Sequence, residues 1–169
     1  MTEETSYLRV EHEDRDVSTP YLFPKLAPFY AAMQPVTYAL LRASFGLIIL
    51  THGIPKALGL PHGSMADPLA GATNLIANVL HLPFPYALAI AAMLLETIGA
   101  VAVAAGFMTR AFAAALAVEM AVICVAHAPT FAWIDRGLEY PLMLGFVALH
   151  IAIAGGGRYA VDRLLPKQL

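Results

Sequence analysis

Tyr86–Ala105 reads YALAIAAMLLETIGAVAVAA, twenty residues with one ionisable side chain, Glu96. At 1.5 Å of rise per residue such a helix covers about 30 Å, the thickness of a hydrocarbon core. Three further apolar segments of helical length accompany it, at Val36–Pro55, Ala111–Ala128 and Tyr140–Ala154. They carry Arg42 and His52, then Glu119 and His127, then His150. A charge near the bilayer centre costs at least about 2.5–3.5 kcal/mol, so such residues should face the protein interior, pair with one another and mark a site. The segments predict an all-α, polytopic membrane four-helix bundle with a polar interior.

Composition agrees. Hydrophobic residues make up 59% of the 169-residue chain and charged residues 13%, about half the share usual in soluble domains. Mean hydropathy is +0.68. Four spans leave no room for a second folded domain. A net charge of −2 gives nucleic acid nothing to bind. The lone cysteine, Cys124, has no partner for an intramolecular disulfide and reads as a small core residue.

Residues 1–35 stand apart. The first twenty hold six acids against Arg9 and Arg15 and lack the basic start and apolar run of a secretory signal, so they read as a solvated, mobile tail. Tyr21–Pro35 interleaves aromatics with Pro20, Pro24, Pro28 and Pro35. Those prolines predict an interfacial lead-in rather than a long regular helix, with docking of a partner as the alternative. The transmembrane domain is then 36–162, and 163–169 is a short cytoplasmic tail.

Four spans put both termini on one side. A cytoplasmic placement sets Lys25, Arg110, Arg158, Arg163 and Lys167 inside against Lys56 and Arg136 outside, which the positive-inside rule favours. In the turn Gly106-Phe-Met-Thr-Arg110, Gly106 is suited to end one helix and Thr109 to cap the next. In the first outer loop, Pro68–Leu80 places Leu69, Ala72, Ile76, Val79 and Leu80 on one face, a short amphipathic helix over the bundle mouth.

At 100° per residue, Arg42, Gly46, Gly53 and Lys56 share a stripe of the first span, and Ala89, Ala92, Glu96 and Gly99 one of the second. Counted from segment ends, Arg42 lies roughly 9 Å and Glu96 roughly 14 Å from the inner side, with Glu119 similar. Arg42, Glu96, Glu119 and His150 are therefore expected to form a buried charge network, with Arg42 paired to Glu96 or Glu119. Two acids sharing one arginine would leave one of them holding a proton. A register-fixing lock without chemistry is the plain alternative. A second cluster, His52, Lys56, His127 and Glu139, belongs at the outer mouth beside Trp133. His52 and His127 meet the depth condition for haem and no other. No ligand pair is spaced for a metal on a single helix, and no cofactor motif is present.

Leu41-Arg-Ala-Ser-Phe-Gly46, His52-Gly-Ile-Pro-Lys56, Leu95-Glu-Thr-Ile-Gly99, the Gly106–Arg110 turn, Asp135-Arg-Gly-Leu-Glu139-Tyr140 and Gly157-Arg-Tyr159 with Asp162 follow one another along the chain. In that order and spacing they resemble the DoxX family of small bacterial membrane proteins. The resemblance implies a four-helix inner-membrane protein, with members similar to subunits of a thiosulfate:quinone oxidoreductase and others linked to thiol or oxidative-stress systems. Arg42, His52, Lys56, Glu96, Arg110 and Glu139 occupy family-pattern positions. Glu119, His127 and His150 rest on burial alone.

The function expected is a membrane subunit of a quinone-linked redox system that binds quinone, or a small sulfur-containing or apolar substrate, inside the bundle. His52 and Glu139 would donate protons, while Lys56, His127 and Trp133 would hold the substrate. Without a cysteine pair or cofactor motif the electrons must come from a partner subunit. No covalent cofactor is expected, quinone being the candidate ligand, and homo-oligomerisation stays open. A metabolite carrier and a non-catalytic anchor or assembly subunit are the alternatives.

Overall fold

The computed structural model describes residues 21–165; the acidic tail expected at residues 1–20 lies outside them. The chain divides into two compact units, Met1–Met33 and Gln34–Leu169. In the first, Tyr30 packs its ring against Tyr21 and Phe29, with centroids 5.4 and 5.8 Å apart.

Helix α1 runs Ala27–Leu58, through both Pro28 and Pro35. The expected proline-broken lead-in is therefore helical from Ala27 onward. Pro28 sits in the first turn, where no backbone donor is needed. Pro35 removes one interior donor at about 3 kcal/mol, a local loss within a 32-residue helix.

A short amphipathic α2 (Pro68–Asn78) follows, capped by Asp67, whose side chain accepts from the Ala70 N–H. Of the expected apolar face Ile76 is buried, Leu69 and Ala72 are half-buried and Val79 is exposed; Pro68, outside that face, is buried too. The second span is built from α3 (Pro85–Leu94), a π-helical turn (Leu95–Gly99) and α4 (Ala100–Ala105). Then come α5 (Thr109–His127) and α6 (Glu139–Ala154). Pro24–Leu58, Pro85–Ala105 and Thr109–His127 are long and apolar enough to cross a membrane. Helix α6 is apolar but has 16 residues, about 24 Å.

Small residues set the packing. Gly46 faces Ala100 and Ala104, and Gly53 faces Glu96 and Thr97, so α1 runs antiparallel to the second span at backbone contact. Met120 meets Gly145, and Arg110 reaches the carbonyls of Ala152 and Ile153, so α5 and α6 are antiparallel too. Phe45, Ile49, Val103, Leu116, Met120, Leu144 and Ile151 fill the centre of the four-helix bundle.

The bundle has two unlike ends. At the tight-turn end Gly106 takes a left-handed φ of 79° and ends α4, as expected. Thr109 does not cap α5; it is the first residue of that helix. Asp162 supplies the cap from far along the chain. It accepts from the N–H groups of Met108 (2.6 Å) and Thr109 (3.0 Å) and from the Thr109 hydroxyl (2.6 Å). The opposite end carries α2 and the two longer loops, and it holds the pocket.

Candidate functional site

The site begins with a defect in a helix. At Leu95–Gly99 the second span widens into a π turn, and the N–H of Ala100 reaches back five residues to the Leu95 carbonyl. The Thr97 hydroxyl donates to the Met93 carbonyl at 2.7 Å and steadies the widened turn. Glu96 lies within this turn and is 4% exposed.

Its partner is Lys56. The ammonium stands 2.6 Å from Oε1 and 2.5 Å from Oε2 of Glu96. Side chains on a helix lean toward its N-terminus. Lys56, almost a turn beyond Gly53, therefore leans back to the level where Gly53 touches Glu96. Glu119, on α5, has its Oε2 buried without a hydrogen-bond partner.

The expected pairing of Arg42 with Glu96 or Glu119 does not occur. Arg42, 2% exposed, donates to the carbonyls of Val103 (2.5 Å), Ala104 (2.9 Å) and Tyr159 (3.2 Å). It closes the C-terminus of α4, where carbonyls have no helical partner. Glu96 stands level with Gly53, eleven residues or about 16 Å farther along α1, and Arg42 leans the opposite way. The expected pairing failed because α1 starts at Ala27, so Arg42 lies closer to the tight turn than counting from Val36 implied. His150 is exposed, with its ring 5.8 Å from that of Tyr38. It belongs to no buried charge network, because α6 turns that face outward.

Beside the Lys56–Glu96 pair opens a cavity of about 430 Å³. Ile49, Leu75, Met120, Ile123, Tyr140 and Leu144 give it an apolar body, and α2 covers it. Its polar groups are His52, Lys56, Glu96, His127 and Arg136, with Trp133 at the edge. Of the expected mouth residues, His52, Lys56, His127 and Trp133 are brought together here. Glu139 is not among the lining residues. It is exposed, and its Oε2 accepts from the Trp133 N–H at 3.0 Å, so it clasps the loop before α6 rather than facing the pocket.

Two ring geometries matter. His52 meets His62 with centroids 4.9 Å apart in an edge-to-face contact. Nδ1 of His127 is 2.8 Å from the Ile123 carbonyl, so Nδ1 carries the hydrogen and Nε2 is left as an acceptor. The loops are tied across the mouth by Arg136, which donates to the Ser64 hydroxyl. His62, Arg136, Tyr140 and the π turn were missed as site components. Arg136 beside Trp133 was the readable signal; the π turn has none in the residue pattern. Among the described residues no group of three His, Cys, Asp or Glu side chains is arranged to hold a metal. The arrangement suits an apolar ring with hydrogen-bonding edges: a cation to donate, an imidazole nitrogen to accept, and a greasy wall on each side.

The family model described as DoxX matches residues 37–128, more than half of the chain. The match takes in Arg42, His52, Lys56, Glu96, Arg110, Glu119 and His127, and stops short of Trp133, Arg136 and Glu139. No curated protein and no solved structure matches the chain.

Proposed function

The chain belongs to the DoxX family, and on that premise we propose that it is the quinone-binding membrane subunit of a redox system in a bacterial inner membrane. What supports the reading is one observation: an apolar cavity of about 430 Å³ at whose side a Lys56–Glu96 pair, His52 and His127 converge. The quinone ring would lie between Ile49, Leu75 and Leu144. Lys56 would donate to a ring carbonyl, and Nε2 of His127 would accept from the hydroxyl that forms opposite. Reduction to the quinol takes two electrons and two protons. The electrons would come from a partner subunit carrying a redox cofactor; His52, at the solvent-facing mouth, would pass protons inward.

The lysine and arginine balance supports cytoplasmic termini, which would put the pocket mouth on the periplasmic side. Reporter fusions after Leu169 and within residues 60–70 should register cytoplasm and periplasm respectively, and the reverse would overturn that placement.

A second reading has its own observation. Arg42, Arg110 and Asp162 are all spent on closing helix ends, which is what an anchoring subunit with charge-locked helices would show. The two separate on purified protein. Titration with a ring-only benzoquinone should quench Trp133, the single tryptophan, and Lys56→Met should weaken that quenching. Full-length folded protein that binds no quinone would leave the anchoring role.

A further inference from the structure

Met120 and Pro141 are walls of two cavities at once. One is the pocket just described. The other is a groove of about 430 Å³ on the outer face of α5 and α6, where Ala117, Ala121, Cys124, Gly145 and Phe146 line an apolar trough. Val118 and Phe146 on its rim are 65% and 62% exposed, on the face that α5 turns toward lipid. Apart from the Cys124 thiol no titratable side chain lines it.

The partition between the cavities is thin and half of it is soft. Met120 is unbranched with a flexible thioether, the side chain best able to move without backbone change. Opposite it stands Gly145, where a Cβ would come 3.3 Å from that of Met120. Glycine here leaves the methionine room to swing.

We propose that the groove holds the apolar chain of the ligand whose ring occupies the pocket, and that this ligand enters sideways from the bilayer past Met120. The inference rests on the quinone reading and narrows it to a ring bearing a polyprenyl chain. A cavity of about 430 Å³ accommodates a substituted ring and a short chain; a long chain must leave it. The groove lies directly across the Met120–Pro141 partition and becomes an apolar exit when Met120 swings aside, and that adjacency commits it to the chain rather than to a second copy of the protein.

The test uses the full chain in nanodiscs and two probes, a dimethoxy-methyl-benzoquinone and the same ring carrying a two-isoprene chain. Trp133 quenching reports ring binding, and N-ethylmaleimide labelling of Cys124 reports groove occupancy. At equal mole fraction in the membrane, the chain should tighten binding about tenfold and slow Cys124 labelling. Ala121→Leu, an exposed position inside the groove, should abolish both gains and leave ring-only affinity unchanged. A chain that adds nothing, an Ala121→Leu that weakens both probes alike, or a dimer dispersed by that substitution would each overturn the groove as a chain site. Failure of the ring-only probe to quench the wild type would overturn the quinone reading itself, and the inference with it.

Discussion

Gly53 of α1 faces Glu96 at a separation that admits no side chain: a Cβ there would stand 2.5 Å from the Glu96 carbonyl oxygen. This contact sets the height at which α1 meets the π turn, and with it the reach of Lys56 to the Glu96 carboxylate. A membrane helix pair held by a glycine at backbone distance gains dispersion contacts that no larger residue permits.

Gly53→Ala should therefore destabilise the bundle by about 1–3 kcal/mol, the usual cost of overpacking. It should also loosen the Lys56–Glu96 pair by pushing the two helices apart. Gly71→Ala is the comparison. In α2 the added Cβ meets only the Met65 sulfur at 3.4 Å, ordinary contact, so its melting temperature should stay near wild type. Thermal unfolding in detergent distinguishes the two, and equal melting of all three proteins would refute the close approach.

The ion pair gives a second expectation. Lys56 and Glu96 side chains are 14% and 5% exposed, so removing one strands the other in a low-dielectric interior. Breaking such a pair costs about 3–5 kcal/mol, whereas replacing both partners is often near neutral. Glu96→Gln alone and Lys56→Met alone should each lower stability well below that of the double variant. Strictly additive losses would mean that the charges do not hold each other. Lys56 is thus no inert residue of the mouth: its loss touches folding as well as binding.

Much of this was readable in the residues, and the failures have physical causes. Apolar spans of the right length, the small-residue stripe of Gly46 and Gly53, the Gly106 turn and the cover helix over the mouth all follow from periodicity and turn chemistry. The partner of Glu96 did not, because depth was counted from Val36 while α1 starts at Ala27, and because side-chain lean was left out. Lean alone points Arg42 toward the tight turn and Lys56 toward Glu96. The capping of α5 by Asp162 joins residues 53 apart in sequence, a relation that no local pattern carries. Glu139 and His150 were misplaced because a fourth helix of 16 residues turns both toward the outside.

The tight-turn end should behave as a structural clamp, independent of the pocket. Arg42→Met removes three hydrogen bonds from a charged donor, each worth about 1.5–3 kcal/mol when buried. Asp162→Ala uncaps α5, at about 0.5–2 kcal/mol for the cap itself. Both variants should melt earlier yet keep wild-type affinity for a ring-only quinone once folded at lower temperature. Loss of affinity at full folding would tie the clamp to the site.

The pocket residues should show the converse. Lys56 and His127 supply the donor and the acceptor facing the cavity, whereas His150 lies against Tyr38 on an exposed face. A hydrogen bond to a charged group is worth about 1.5–3 kcal/mol, so Lys56→Met should weaken ring binding by about tenfold to a hundredfold. His127→Ala loses a neutral acceptor, about 0.5–1.5 kcal/mol and up to tenfold. His150→Ala should leave affinity where it was. Trp133 quenching measures all three against the wild type without labels. If His150→Ala weakened binding as strongly as His127→Ala, the ligand would lie along the Tyr38 face, and the cavity beneath α2 would lose its claim to be the site.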